Sequence, residues 1–185
     1  MYGDSMDRRQ EKTRRAIFTA FTKLLAKKEY SKITVGEILT LADVGRATFY
    51  AHFETKDYLL KALCQELFCH ILDGADSDHR HIFDCQPPDS VFLHLLQHFQ
   101  KNDNNLLLLL TSPNNGVFLE YFKENLKQLV MTQLPLFASR KSEKLPESFW
   151  VDHIAATFVE TVRWWVDNQM EQTPETVAEY FYLAV

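Results

Sequence analysis

The sequence predicts an all-α fold of about nine helices, in which a three-helix N-terminal domain is followed by a C-terminal helical bundle. Along most of the chain, apolar residues recur at spacings of three and four, which is the pattern of the buried face of a helix. Only five glycines and six prolines interrupt the 185 residues, and no stretch alternates convincingly between apolar and polar residues. We therefore expect long helices and no β-sheet.

The first helix is predicted from Arg8 to Lys28, and Tyr30 and Ser31 end it. A short second helix should start at Thr34, because Thr34 followed three residues later by Glu37 is the pattern of a capping box. We expect the second helix to carry Ile38 and Leu41 inward and to end near residues 42–43. The buried stripe of the first helix is predicted to consist of Ile17, Phe21, Leu24, Leu25 and Lys28.

A third helix, also short, is predicted from Arg46 to about Phe53, directly after a tight turn at Val44 and Gly45. Phe49 and Phe53 are four residues apart and can share one buried face, which leaves the polar side chains pointing elsewhere. Thr55 is then suited to be the N-cap of a longer helix. The inward stripe of that helix is predicted to be Leu59, Leu60, Leu63, Leu67 and Ile71.

Two predicted connectors divide the C-terminal part of the chain, residues 73–90 and 135–146. Pro174 suits the start of a helix, where its missing N–H would have no partner in any case. We place the domain boundary between residues 55 and 56, so that residues 8–55 form one domain and residues 56–185 the other. Helices of the second domain, after the one that Thr55 caps, are predicted at 91–100, 105–110, 117–134, 149–170 and 174–184.

Charge is distributed unevenly along the chain. Residues 8–56 contain eleven Lys and Arg against five Asp and Glu, whereas the whole chain carries a net charge of −5. A basic segment on an acidic body indicates that one end of the molecule meets a polyanion. A solvated face of mixed charge would give the same counts, so charge alone leaves both interpretations open.

The compartment is predicted from apolar runs and cysteines. The longest uniformly apolar run is Leu106–Leu110, which is far short of the roughly 18 residues that a membrane span needs. Residues 1–10 are polar and predict no secretory signal. Cys64, Cys69 and Cys85 have no framework spacing and are expected to be reduced thiols. We therefore expect a cytoplasmic protein.

Two short helices joined by a tight turn and rich in basic residues are typical of a helix-turn-helix, whose second helix enters the major groove of DNA. The start of that helix offers Arg46, Ala47 and Thr48. Arg can pair with a guanine edge, a small apolar side chain can touch a thymine methyl group, and Thr can make either kind of contact. These three are therefore the expected base contacts, unless they are only solvent-facing positions on a packing motif. The expected phosphate contacts are Thr34, Tyr50, His52 and Lys56.

Two runs resemble the TetR family of transcription regulators. They are Lys-Ile-Thr-Val-Gly-Glu-Ile at residues 32–38 and Val-Gly-Arg-Ala-Thr-Phe-Tyr-Ala-His-Phe-Glu-Thr-Lys-Asp at residues 44–57. The second run looks very like the recognition helix of the family and the entry to its fourth helix, and the N-terminal resemblance covers roughly residues 10–70. Less specifically, residues 158–165 followed by Pro174 and Glu175 are similar to a subgroup that includes an activator of a dihydroxyacetone kinase operon.

The family resemblance implies a three-helix DNA-binding domain linked by a fourth helix to a divergent regulatory domain. It also implies a homodimer formed by the last two helices, and repression relieved by a small effector. Such a dimer would read the two halves of a near-palindromic operator in double-stranded DNA. Carried onto this chain, the resemblance assigns base reading to Arg46, Ala47 and Thr48 and phosphate binding to the four residues named above.

The histidines suggest a metal site only weakly. His79 and His81 lie in the first connector with Asp76, Asp78 and Cys85, while His94 and His98 are four apart on a predicted helix. Two ligands on one helix face plus a third elsewhere can bind zinc, but no Cys-x-x-Cys or His-Glu-x-x-His spacing is present. We therefore assign no metal and no cofactor. Cys64 and Cys69, five residues apart, do not face each other on a helix and do not predict a redox pair.

The sequence leaves the effector unassigned and predicts no enzyme. A glycine-rich phosphate loop, a Gly-x-Ser-x-Gly run and a paired-carboxylate signature are all missing from the sequence, so no catalytic residue is assigned. A second hypothesis is that the C-terminal domain binds another protein and that DNA binding is secondary or activating. Six aromatic residues could line an effector pocket, the core or a dimer interface: Phe118, Tyr121, Phe122, Trp150, Trp164 and Trp165. Trp164 and Trp165 cannot both face the same way.

Overall fold

A computed structural model describes residues 3–73, 90–101, 106–111 and 116–185. Within these ranges the secondary structure is helical and contains no strand. Among the described residues, nine helices have six residues or more, and one further helix is a single turn. In chain order they are α1 (Gly3–Leu25), α2 (Val35–Ala42), α3 (Arg46–His52), α4 (Lys56–Asp73), α5 (Val91–Gln100), α6 (Leu106–Thr111), α7 (Gly116–Thr132), α8 (Leu134–Phe137), α9 (Glu147–Asp167) and α10 (Pro174–Ala184).

The predicted all-α fold is confirmed, and most helix boundaries agree with the sequence. Thr34 accepts a hydrogen bond from the N–H of Glu37 and the Glu37 side chain accepts from the N–H of Thr34, so the capping box is formed. Thr55 caps α4 by accepting a hydrogen bond from the Tyr58 N–H at 3.0 Å. Pro174 is the first residue of α10, which confirms its predicted place at the start of a helix. The first predicted connector lies almost wholly outside the described residues.

The second predicted connector is partly wrong. Residues 134–137 form the single-turn helix α8, and a 3₁₀ turn follows at Ala138–Arg140. Pro135 does not prevent this, because a proline in the first turn of a helix removes only an N–H that has no intrahelical partner. Phe137 of α8 is buried against Phe92 and Phe181, at ring-centroid distances of 5.9 and 6.2 Å. Tertiary packing thus stabilises a turn that local sequence does not predict.

One inward-facing residue of α2 was predicted wrongly. Ile38 is fully buried, but Leu41 is 49% exposed. The residues of α2 that pack toward the core are Val35, Ile38, Leu39 and Ala42. Their spacing is the i, i+3, i+4, i+7 pattern of a helix face, which leaves Leu41 on the edge of that face.

Helix α4 joins the two parts of the molecule. Leu59, Leu60, Leu63, Leu67 and Ile71 are all at most 3% exposed, as predicted. The helix packs against α7 and α5, α7 packs against α9, and α10 packs against both α5 and α9. Aromatic residues fill the centre of this bundle; the ring of Phe92 lies 4.9 Å from that of Phe181 and 5.6 Å from that of Phe158. No helix among the described residues is long and apolar enough to cross a membrane.

The aromatic candidates separate into core and surface. Trp165 is fully buried and its Nε1 donates to the backbone oxygen of Gln172 at 3.0 Å, whereas Trp164 is 43% exposed. Phe118 and Phe122 are fully buried, so they belong to the core. Cys64 is buried, and burial raises the pKa of its thiol well above the ordinary range. A buried thiol of this kind is a poor nucleophile.

Candidate nucleic-acid interface

Aromatic residues pack against the buried side of α3 and hold it in place. Phe49 and Phe53 are fully buried, with ring centroids 5.9 Å apart, and Phe18 of α1 meets Phe53 edge-on at 5.3 Å. The guanidinium of Arg14 lies 5.3 Å from the centroid of the Phe53 ring and pairs with Glu66 of α4 at 2.8 Å. Because α3 is a short helix, this packing rather than its own propensity fixes its position.

The turn between α2 and α3 depends on Asp43 rather than on glycine. Asp43 takes the left-handed conformation, with φ 52° and ψ 49°, and its N–H donates to the carbonyl of Leu39. Val44 donates to the same carbonyl at 3.2 Å. Gly45, predicted to form the turn, instead has an ordinary extended conformation as the N-cap of α3. Aspartate is one of the few residues other than glycine that tolerates the left-handed region.

The three predicted base contacts lie together at the start of α3. Arg46, Ala47 and Thr48 are all exposed, and the helix begins at Arg46. They lie at the N-terminal end of α3, whereas the buried Phe53 follows the C-terminal end. The arrangement therefore presents a guanidinium, a methyl group and a hydroxyl on a helix that its neighbours hold firmly.

Thr34 and Glu37 form a charged cap at the start of α2. The Thr34 hydroxyl donates to Glu37 Oε2 at 2.8 Å and accepts from the Glu37 N–H at 3.3 Å. Glu37 also forms an ion pair with Lys28, which the sequence placed last in the predicted buried stripe of the first helix. The hydrogen bond from Lys28, followed by those from Thr34, lowers the pKa of Glu37 to about 2. Thr34 remains exposed, but its one O–H proton is donated to Glu37, so a contact with phosphate would require the hydroxyl to turn away from Glu37.

Tyr50 and His52 have mixed surroundings. Tyr50 is 48% exposed, and its ring meets that of Phe49 edge-on at a centroid distance of 5.4 Å. The pKa of His52 is lowered, first by partial burial and then by the positive charge of Arg14. A neutral imidazole at this position can donate one hydrogen bond to a phosphate, but it carries no charge to attract one.

Lys56 is engaged within the domain. Its Nζ donates to the backbone oxygens of Tyr30 and Ile33, at 2.9 and 2.8 Å, and lies 4.2 Å from the centroid of the Tyr30 ring. Tyr30 in turn donates to Asp57, the next residue of α4. Since an ammonium group has three N–H donors, one donor is left for a further partner. Lys56 thus connects the start of α4 to the segment before α2, a role that its sequence position did not reveal.

Sequence reasoning missed a basic face on α1. Arg8, Lys12, Arg15 and Lys23 are exposed and follow one another at helical spacing, so they share one side of the helix. An open groove of about 320 Å³ lies between α1 and α2, and Lys12, Arg15, Lys23 and Leu41 contribute to its walls. We call Arg8, Lys12, Arg15 and Lys23 the α1 basic stripe. Their spacing in the sequence is the signal that could have found it.

A short helix that is held by its neighbours and has an exposed N-terminal end, a basic surface and a separate helical bundle together define a DNA-binding transcription regulator of the helix-turn-helix class. Comparison with known proteins shows to which family of this class the chain belongs. Residues 17–63 match the family described as bacterial regulatory proteins, tetR family, and residues 86–185 match a TetR family described as transcriptional regulator C-terminal region. The chain belongs to the TetR family.

Solved structures agree with this assignment. A TetR transcriptional regulator from Streptococcus agalactiae 2603V is 34% identical, with a TM-score of 0.74 over 97% of this chain and 96% of that one. FadR from Bacillus subtilis, solved in complex with stearoyl-CoA, shares the fold at 19% identity and a TM-score of 0.55, over 92% of this chain and 98% of that one.

A curated relative matches a shorter stretch of the chain. The HTH-type transcriptional regulator YxbF of Bacillus subtilis (strain 168) is 39% identical over 69 residues, which are 37% of this chain and 18% of that protein. The finer resemblance to the subgroup with the dihydroxyacetone kinase activator is not supported by these findings.

Proposed function

We propose that this regulator is a homodimeric, ligand-responsive repressor of the cytoplasm that binds a near-palindromic operator. The observation that carries the proposal is the exposed reading end of α3, with Arg46, Ala47 and Thr48, on a helix fixed by its aromatic packing. Arg46 would pair with a guanine edge, Ala47 would touch a thymine methyl group, and Thr48 would make a hydrogen bond or an apolar contact.

Phosphate contacts would position α3 in the groove. Tyr50 is exposed and offers a hydroxyl group, and His52 offers a ring N–H. Thr34 is exposed too, and would reach a phosphate by exchanging its hydrogen bond to Glu37 for one to the DNA. Lys56 would use its remaining donor, since the other two hold the backbone of Tyr30 and Ile33. The α1 basic stripe adds positive charge to the same domain, and such charge attracts DNA without regard to sequence.

The last two helices supply the surface for a second copy of the chain. Phe149, Trp164, Tyr180 and Leu183 are 55, 43, 44 and 72% exposed, and the rings of Trp164 and Tyr180 are 5.9 Å apart. We call these four residues the α9–α10 face. Large exposed apolar side chains concentrated on neighbouring elements are typical of protein interfaces, and aromatic residues are enriched in their centres.

The division of labour follows from the two parts of the fold. Residues 8–55 would bind DNA, and residues 56–185 would bind the effector and form the dimer. An effector would act by binding one arrangement of the dimer more tightly than the other. The stearoyl-CoA in the structure of Bacillus subtilis FadR shows that this fold can hold a small molecule.

Selection of bound duplexes from a random DNA pool tests this proposal. The full-length protein should enrich an inverted repeat, because two recognition helices related by a two-fold axis read the same half-site twice. The half-sites should be separated by about 34 Å or a small multiple of it, so that both helices enter the same side of B-DNA. Enrichment of a single unrepeated site, or none at all, would contradict the proposed dimeric operator binding.

A further inference from the structure

Three histidines meet in the core of the C-terminal part. His70 comes from the last turn of α4, and His94 and His98 come from one face of α5. Their exposed fractions are 4, 1 and 1%. The sequence showed the pair on α5, but only the packing of α4 against α5 adds the third imidazole. We call these residues the histidine cluster.

The spacing of the ring nitrogens suits a metal ion. His94 Nε2 and His98 Nε2 are 3.2 Å apart. Two imidazole nitrogens that each lie about 2.05 Å from a tetrahedral zinc are about 3.3 Å apart. One ligand atom from each of the three residues lies within 4.8 Å of the others, and the three rings are 4.9 to 5.0 Å apart between centroids. A zinc ion bound by all three residues would require the ring nitrogen of His70 to lie at the same distance from the other two.

The chemical state of the cluster also suits a metal. A neutral imidazole is the form that donates its lone pair to a metal. Three imidazole nitrogens favour zinc and its neighbours in the transition series over magnesium or calcium, which prefer oxygen ligands.

We propose that His70, His94 and His98 form a binding site for one Zn²⁺ per chain, which ties the end of α4 to α5. Three protein ligands leave the fourth position of the metal for water or a small donor. The sequence contains no metal-motif spacing that would predict this site, since only His94 and His98 are near each other in the chain and His70 is distant.

Such a site would also influence DNA binding, a step that rests on the proposed function. Helix α4 begins beside the DNA-binding helices, where Lys56 holds the segment before α2, and it reaches the cluster at His70. A metal that holds the C-terminal end of α4 against α5 stabilises the positions of α4 in which all three histidines can bind the metal. If those arrangements differ in DNA affinity, zinc shifts the equilibrium between them.

Titration of the chelator-stripped full-length protein with Zn²⁺, followed by calorimetry, tests the site without DNA. We expect one tightly bound zinc per chain. The variants His70→Gln and His98→Gln should each weaken binding by at least about 100-fold, because loss of a mere supporting hydrogen bond already costs 10- to 100-fold in metal affinity. The helicity and melting temperature of each metal-free variant show whether it is folded. One folded variant is enough for the comparison with the wild-type protein.

Two controls locate the metal. His153→Gln removes an exposed histidine of α9 and should leave zinc affinity unchanged. The double variant His79→Gln, His81→Gln removes the histidines of the first connector and should also leave it unchanged. No stoichiometric binding by the wild-type protein would overturn the site, and so would equal binding by wild type and folded cluster variants, or loss of binding in the connector variant.

Affinity for the selected operator, measured with zinc and with a chelator, tests the coupling. We expect a change of at least about fivefold in the wild-type protein, the low end of typical coupling between sites, and none in His70→Gln. Zinc binding without any change in DNA affinity would overturn the regulatory step and leave the metal site standing. Absence of DNA binding under both conditions would count against the proposed function, because the calorimetry does not depend on DNA.

Discussion

Replacement of Lys56 by methionine tests the unexpected role of this residue within the domain. Methionine retains an apolar stem but removes the ammonium group that donates to the backbone oxygens of Tyr30 and Ile33. A hydrogen bond to a charged group contributes about 1.5 to 3 kcal/mol. The two bonds of Lys56 should contribute less than their sum, since its pKa is lowered by burial and part of its hydration is lost on folding.

We therefore expect Lys56→Met to reduce the free energy of unfolding by about 2 kcal/mol. For a chain of this size the melting temperature should fall by about 4 to 8 °C, at about 2 to 4 °C for each kcal/mol. Denaturation in urea, followed by circular dichroism, measures the change in free energy. Lys27→Met is the matched control, because Lys27 is exposed and substitutions at such positions usually change stability by no more than about 0.5 kcal/mol.

The result that would refute this reasoning is a Lys56→Met protein as stable as the Lys27→Met control. A loss of DNA affinity with unchanged stability would then make Lys56 a phosphate contact and nothing more. If both stability and the salt dependence of DNA binding fall, Lys56 serves the fold and the proposed phosphate contact together.

Three further predictions concern the cap, the dimer and the basic stripe. Because the pKa of Glu37 is lowered from 4.5 to about 2, its charge stabilises the folded state above pH 4.5; the advantage in melting temperature of wild type over Glu37→Gln should shrink between pH 4.5 and 2, and a constant difference would contradict this. Leu183→Asp should shift the sedimentation of the protein toward the monomer, while Leu136→Asp on α8, where the leucine is also exposed, should not; identical behaviour would place the interface elsewhere. Lys23→Gln should reduce the slope of log affinity against log salt by about 0.9 if Lys23 binds a phosphate, and an unchanged slope would remove it from the interface.

The helix-turn-helix could be predicted from the sequence because its signals are local. The capping box of Thr34 and Glu37, the N-cap at Thr55 and the spacing of Phe49 and Phe53 each act within one helical turn. Local rules of this kind do not depend on the rest of the fold. The exposed start of α3 followed from the same signals.

The features that sequence reasoning missed depend on contacts between distant residues. Lys56 meets carbonyl groups more than twenty positions earlier in the chain, and His70 meets His94 and His98 only because α4 packs on α5. Helix α8 forms because Phe137 fits among the aromatic residues of the bundle. The left-handed Asp43 was missed for a different reason, since glycine at position 45 offered a more common explanation of the turn.

Arg46 at the start of α3 is proposed to read a base. The most direct test compares wild type with Arg46→Ala on the selected operator and on random DNA, over a range of salt concentrations. A bidentate contact to guanine contributes about 1 to 3 kcal/mol of discrimination, so the ratio of specific to random affinity should fall about 5- to 150-fold. Equal losses on the two DNAs, or a fall in the salt slope without a change in the ratio, would make Arg46 a phosphate contact and contradict the account.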